Sequence, residues 1–271
     1  PKGVEIRTPK CKSITSCLET YEQLLNRMKI AFARHGLVPI ALSHHPIEEN
    51  FHGPMNKRRY DFWIWAMQVM TTYGPDINVS VPSSLLEGFN LKDFERKVNY
   101  YAPSLALASL ASPFRGGKLW ELPGGRIGKS YRTFKRSAMA PAIEYHSKEG
   151  NRFEFKVFEM SSDVKDFNAY FHLFLILLLD PSLEGRADKA ERIYEMGDVA
   201  RYGFESKVTT EKLAAICARG DLLGKYGFDS SSLQPVIDRL ERRETLADRW
   251  VQNFNQSLPI NENIKSIFSD Q

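Results

Sequence analysis

Two short segments alternate apolar and polar residues with a period of two. One is Asp76-Ile77-Asn78-Val79-Ser80-Val81, entered through Gly74-Pro75, and the other is Arg152-Phe153-Glu154-Phe155-Lys156-Val157. Residues two apart on a strand share a face, so Asp76, Asn78 and Ser80 line up on one strand, and Glu154 and Lys156 on the other. Turned to solvent, such a face would be ordinary. Turned into a concave sheet, it gathers two carboxylates, an amide and an ammonium in one pocket, which suits a divalent metal and a polyphosphate.

Elsewhere the period is mostly helical. Leu18, Tyr21, Leu24, Leu25, Met28 and Phe32 mark an amphipathic helix from Ser16 to a stop at Gly36. Val4 to Thr8 reads as a short strand ended by Pro9. Leu37 to Leu42 reads as another, leaving through Ser43-His44-His45-Pro46 into a polar loop. A Trp- and Met-rich helix is expected over Tyr60 to Thr72, and one bent at Pro103 over Asn90 to Ser109. Phe114 to Gly128 is a Gly-rich connection, and Ser137 to His146 with Arg152 to Met160 reads as a helix-to-strand passage. The apolar run Phe167 to Leu179 is well short of the ~20 residues of a membrane span. Ser162-Asp163 caps its start and Asp180-Pro181 ends it, so it is expected to be a buried core helix with His172 as a core histidine. Everything after Gly185 is helical in pattern. The recurrence of Arg201-Tyr202-Gly203-Phe204-Glu205-Ser206 as Lys225-Tyr226-Gly227-Phe228-Asp229-Ser230 reads as a repeated helix stop followed by a new cap.

Composition narrows the class a little. With 271 residues, 42% hydrophobic and 26% charged, the chain is an ordinary globular one, and its net charge of +4 favours anionic ligands weakly. Lys57-Arg58-Arg59 and Arg242-Arg243 are too short to argue for nucleic acid. Cys11, Cys17 and Cys217 have no metal-ligand spacing and read as reduced thiols of a cytoplasmic protein. The start, Pro1-Lys2-Gly3, has neither a signal-peptide pattern nor an initiating Met, so the expectation is a processed chain or one cut from something longer.

Three tempting motifs fail. Gly124-Gly125-Arg126-Ile127-Gly128-Lys129-Ser130 has Pro123 where a P-loop needs its first glycine, and no strand precedes it. What remains is a basic segment (Arg115, Lys118, Arg126, Lys129, Arg132) that either folds over phosphates or is simply solvated. His44, His45 and His52 lack the further ligands of a zinc site, and adjacent histidines on a strand point apart. Cys11 and Cys17 have no identifiable base partner.

Six segments in order nevertheless resemble the glutamate–cysteine ligase and carboxylate–amine ligase superfamily, whose fold is distantly related to glutamine synthetase. They are Val4-Glu5-Ile6-Arg7-Thr8-Pro9; Ser43-His44-His45-Pro46; Arg59-Tyr60 with its helix into Gly74-Pro75-Asp76-Ile77-Asn78-Val79-Ser80; Ser112-Pro113-Phe114; Ser130-Tyr131-Arg132; and Phe153-Glu154-Phe155-Lys156. The resemblance runs from about Val4 to Leu179. It implies an α+β fold in which a curved, mostly antiparallel sheet forms a funnel flanked by helices, with a helical C-terminal part. Residues 1–184 would form the sheet and its packed helices, and 185–271 the helical remainder of the same domain.

The resemblance also implies ATP with Mg²⁺ (or Mn²⁺) at the inner face of the funnel. Carried over, Glu5, Asp76 and Glu154 become metal ligands and Asn78 the second polar slot of its strand. Lys156 stands where the family has an arginine, keeping the charge without the bidentate fork. Arg132, and with it Arg115, would face phosphate or a substrate carboxylate, and His45, Arg59 and Tyr60 would hold a small amino-acid-like substrate. The family opens with a Glu-x-Glu strand ahead of this chain's start, so a preceding segment, or another copy in a homo-oligomer, is expected to complete the sheet. The implied activity is ATP-dependent amide formation through an acyl phosphate on a glutamate-like carboxylate. The alternative is a non-catalytic binding protein on the same scaffold, and a phosphotransferase stopping at the phosphorylated intermediate is a third reading. No nucleic-acid or membrane partner is expected.

Overall fold

A computed structural model describes residues 4–50 and 70–268. Its first helix, α1 (Ile14–Ala33), starts where Ser13 and Ser16 cap each other's backbone N–H groups, and the chain turns away at Gly36 with φ +66°. Its apolar stripe, Ile14, Leu18 and Tyr21, is only partly buried against the main core. The expected helix over Tyr60 to Thr72, with Arg59 and Tyr60, lies outside the described residues, apart from a turn at 70–71 and a bridge at Thr72.

The alternating segments do form strands. β1 (Ile77–Ser80) and, further along, β4 (Ile143–His146) and β5 (Arg152–Phe155) make one antiparallel sheet in the order β1-β5-β4. Between them lie a short helix α2 (Ser83–Leu86) and the long α3 (Leu91–Leu107), capped by Asn90. The two-stranded hairpin β2 (Phe114–Arg115) and β3 (Lys118–Leu119) follows, and then α4 (Tyr131–Arg136). Pro103 sits inside α3 without ending it. A tight reversal over 147–151, with Gly150 at φ +76° and Asn151 at φ +51°, joins β4 to β5.

Three expectations need correction. Val4 to Thr8 and Leu37 to Leu42 join no sheet among the described residues, and Val4, Leu37 and Val38 are exposed. Strand propensity is realised only where a partner edge and a packed face exist, and apart from Leu42, which packs in a small cluster with Phe114, these segments offer little of either there. The stretch 137–146 is not a helix leading to one strand. Ile143-Glu144-Tyr145-His146 alternates, and its pairing with β5 overrides the helical look of the Ala-rich residues before it.

The core forms on the apolar side of this sheet. Phe153 and Phe155 point into it, and α5 (Val164–Leu179) lies across them, with Phe155 and Phe174 5.2 Å apart between ring centres. Asp163 caps α5, which is buried on most of its circumference, as the uninterrupted apolar run requires. His172 is buried there, its Nδ1 2.7 Å from the Asn168 carbonyl oxygen. Helices α6 (Lys189–Tyr202) and α7 (Lys207–Cys217) pack on α3, and α8 (Gly220–Lys225) and α9 (Gln234–Arg242) on α5 and α7, so one apolar cluster runs from Ile77 to Val236. Gly203 and Gly227 both take positive φ where a helix stops, as the repeated motif requires. Helices α10 (Leu246–Gln252) and α11 (Ile260–Phe268) cover a smaller cluster around Phe114 and Trp250. The α+β class, the antiparallel pairing and the helical C-terminal part stand. Where a funnel is expected, the described residues form one three-stranded sheet and a separate two-stranded hairpin. No helix among the described residues is long and apolar enough to cross a membrane.

The C-terminal helices are tied to the core by charge as well as by apolar contact. Arg239 of α9 pairs with Asp166 of α5, both nearly without solvent, and donates to the Ala108 carbonyl at 2.9 Å. Removing one partner strands a buried charge. Arg239→Met should therefore cost about 3–5 kcal/mol in denaturant unfolding. The double variant Arg239→Met/Asp166→Leu should recover part of that loss, since an apolar pair leaves no charge to strand. Equal stability of wild type and the single variant would show that the pair carries no weight.

Candidate functional site

The polar side of the sheet concentrates charge. In register, Asn78 of β1 faces Glu154 of β5, Glu154 faces Glu144 of β4, and Arg152 faces His146. Glu154 is met by Arg152 Nη1 at 3.0 Å, Lys156 Nζ at 3.2 Å and His146 Nε2 at 2.9 Å. Lys156 also reaches Glu144 at 2.7 Å, and Arg152 bonds both Asn78 and Glu149. Burial alone would raise the Glu154 pKa, but Arg152 and Lys156 outweigh it and hold the carboxyl below its usual range. The reciprocal holds for Lys156. Burial pulls the ammonium down, Glu144 and Glu154 pull it up further, and the net shift is upward.

Asp76 lies at the entrance to β1 in a different environment. Burial and then the nearby Glu154 charge push its carboxyl up, against the weaker opposing pull of Lys156, Arg136 and Arg132. Its carboxylate forms no ion pair with a described residue. Glu5 is exposed and pairs with Arg7 at 2.6 Å. The Arg7 charge feels both Asp76 and Glu154, so the N-terminal segment runs beside the polar face although it adds no strand to it.

Arg132, expected to face phosphate or a substrate carboxylate, is held by the backbone. It is 3% exposed, and its guanidinium donates to the carbonyls of Tyr73 (2.5 Å), Val157 (3.1 Å) and Lys156 (3.4 Å). Burial lowers its pKa to about 10. Gly74 is packed so closely here that a Cβ would strike the Arg132 guanidinium and lie 2.8 Å from the Phe158 carbonyl oxygen. Arg132 thus ties the lead-in to β1 to the exit of β5. Arg115 likewise faces a partner: it pairs with Glu49 at 3.0 Å and lies 4.7 Å over the Tyr131 ring. Arg126 pairs with Glu205 over the Tyr202 ring, and Lys129 with Asp248 at 2.5 Å. In the basic segment Arg115, Arg126, Lys129 and Arg132 are each held by a carboxylate or by backbone carbonyls. His45 uses Nδ1 to accept from Glu48 N–H at 2.8 Å, which shapes the loop after it. Arg59 and Tyr60 lie outside the described residues.

Sequence reasoning missed Glu144, His146, Arg136 and Glu159. The alternation of residues 143–146 could have revealed the first two. Glu159 is fully buried after β5 and accepts from Ala111 N–H (2.8 Å), Ser112 Oγ (2.8 Å), Thr133 Oγ1 (2.5 Å) and Ser130 Oγ, while Ser109 Oγ accepts from its own N–H. It joins the Ser112 and Ser130 segments beneath the site, and no local pattern announces it.

On donor chemistry the face fits a divalent cation. Glu144, His146 and Glu154 offer ligand atoms all within 4.8 Å of one another, with Asp76 beside them. Two carboxylates and an imidazole suit Mn²⁺ at least as well as the all-oxygen preference of Mg²⁺. A cation would compete with Lys156 for the same two carboxylates.

The raised Asp76 pKa has a testable consequence. Native Asp76 holds its proton to higher pH than the unfolded chain, where the group titrates near ~3.9. Between those values the native state binds more protons, so this group's contribution to stability falls as pH rises. Asp76→Asn should become progressively more stable than wild type across that window and keep the gain at neutral pH. Thermal unfolding of both proteins over a pH series checks this, and a variant less stable than wild type above the window overturns it.

Comparison with known proteins supplies a family. Residues 2–139, just over half of the chain, match the profile of glutamate-cysteine ligase family 2 (GCS2). No curated protein matches the chain in sequence. Among solved structures, the Pup ligase PafA of the prokaryotic ubiquitin-like modification pathway, in complex with ADP, superposes with a TM-score of 0.56 at 11% identity. The match covers 96% of this chain and 64% of that one, so this chain spans a little under two thirds of the ligase. A complex of Pup with PafA aligns at a TM-score of 0.49 and 11% identity, over 95% of this chain and 59% of that chain. The fold is thus that of a carboxylate–amine ligase, and the chain belongs to glutamate-cysteine ligase family 2.

Proposed function

We propose that this chain carries the core of an ATP-dependent carboxylate–amine ligase that acts through an acyl phosphate on a glutamate-like carboxylate. The supporting observation is family membership together with a sheet whose polar face gathers Asp76, Glu144, His146 and Glu154. In this reading Glu154, Glu144 and Asp76, with His146, hold Mg²⁺ or Mn²⁺, and Asn78 supplies a polar contact beside them. The metal would neutralise charge on the phosphoryl group as it moves from ATP to the acid. Lys156 provides a fixed cation at the same place. Arg132 works from behind, holding the carbonyls of Tyr73 and Lys156 so that Asp76 and Lys156 keep their spacing. His45, Arg59 and Tyr60 remain the candidates for the amino-acid-like substrate, and Arg115 for a phosphate once its pairing with Glu49 is exchanged. A preceding segment or a second copy would add its acidic strand beside Glu5.

A second reading has its own support. Glu154 is already met by three cationic or imidazole partners, as expected of a face that has become structural and serves a non-catalytic interaction protein. The PafA neighbour, described as a Pup ligase, makes a protein-borne carboxylate worth including among the acids tried.

Phosphate release from ATP, measured with Mg²⁺ or Mn²⁺, glutamate-like acids and amines, separates the two readings. Wild type should turn over ATP only when an acid is present. Glu154→Gln should lower that rate by about 10²–10³-fold while leaving the thermal unfolding transition cooperative. A wild-type protein that binds nucleotide yet turns over none of it, with the upstream segment restored, would establish the non-catalytic reading.

A further inference from the structure

A small cavity lies between α4, α6 and the exit of β5, and the charged residues that line it are all cationic. Arg132 and Arg136 enter it from α4, Arg192 from α6 and Lys156 from beyond β5, and no carboxylate of the described residues lines it. The remaining walls come from small and apolar residues such as Ala140, Ala142 and Met196. The space available to the centre of a water-sized sphere is about 20 Å³, enough for about one such sphere.

Arg192 is the informative member. It is 4% exposed, and its Nη2 donates to the carbonyls of Ser137 (3.3 Å) and Ala140 (3.0 Å). Its Nε–H is buried and has no acceptor among the described residues. Burial lowers the pKa of Arg192 and of Arg136, the expected sign for guanidinium groups held from water without full compensation. Arg136 is satisfied in part by the Thr72 hydroxyl at 2.9 Å. Opposing charges lie outside the walls: Glu144 and Glu154 pair with Lys156, Glu159 and then Asp76 act on Arg132, Asp76 acts on Arg136, and Glu95 on Arg192.

A water molecule accepts from one donor but leaves the positive charge of the lining uncompensated. An atom that only accepts, and that carries negative charge, satisfies the Arg192 Nε–H and offsets the surrounding cations together. We propose that this cavity is an anion site that admits one acceptor-only atom, either a halide ion or a terminal oxygen of an oxyanion reaching in past Lys156. Lys156 belongs both to this cavity and to the polar face of the sheet, so the site stands at the edge of the ligase face without depending on that activity.

The test reads occupancy rather than turnover. Crystals of the whole chain soaked in sodium bromide should show an anomalous peak within hydrogen-bond distance of Arg192 Nε. In solution, chloride NMR line broadening by wild type should fall in Arg192→Met, with binding weakened about tenfold or more, the worth of one charge-assisted hydrogen bond. Arg136→Gln serves as the second variant should Arg192→Met fail to fold, and should weaken binding in the same sense. Loss of the bromide peak when glutamate or ATP is added identifies the oxyanion oxygen as the occupant, and a peak that persists identifies a resident halide. Absence of the peak, or broadening unchanged in both variants, overturns the proposal, and either result is independent of whether the protein turns over ATP.

Discussion

The structure depends first on one buried carboxylate. Glu159 stands at the exit of β5, where a bare charge would be prohibitively costly, and it is surrounded by donors from two separate stretches of chain. Each of those donors is in turn a group that could not be buried alone. The result is a knot in which Ala111, Ser112, Ser130 and Thr133 are fixed relative to the sheet. The start of α4 is fixed by the same knot, because Ser130 also caps it. Since Arg132 and Arg136 project from α4, the placement of these two cations behind the polar face is inherited from Glu159.

Above that knot, electrostatics divides the polar face in two. On the β4–β5 side, opposite charges meet at hydrogen-bond distance and lower one another's cost, so Glu154 and Lys156 are both held in their charged forms. On the β1 side, Asp76 is left with burial and a like-charged neighbour, while of its guanidinium neighbours Arg132 serves backbone carbonyls and Arg136 the Thr72 hydroxyl. Paired charge on one side and under-compensated charge on the other is the arrangement expected where a ligand supplies the missing counter-charge.

How much of this could be read from the sequence follows from the range of the interactions involved. The alternation around Asn78 and Glu154 is a local pattern and specified two strands and their shared polar side. The apolar run of α5 with its Asp163 cap is equally local. The third strand was hidden because its four alternating residues follow an Ala-rich stretch with helical character, and only pairing with β5 decides between them. The destination of Arg132 was hidden for a different reason. A basic residue after Ser130-Tyr131 looks like an anion binder, and nothing nearby in sequence shows that three carbonyls from two distant segments wait for it. Glu159 and Arg192 fall in the same class, since their partners lie some 26 to 55 residues away.

The reversal at 147–151 carries one more implication. Its two consecutive left-handed residues, Gly150 and Asn151, set the length of the connection and thereby the register of β4 on β5. Side chains alternate faces, so a connection longer or shorter by one residue would exchange the sets. Ile143 and Tyr145 would come to the charged side, while Glu144 and His146 would be driven into the phenylalanine core. This loop, although on the surface, should therefore tolerate changes of residue far better than changes of length. Among relatives, insertions should accumulate elsewhere, and a relative that does carry one here should have rebuilt its acidic face from different positions.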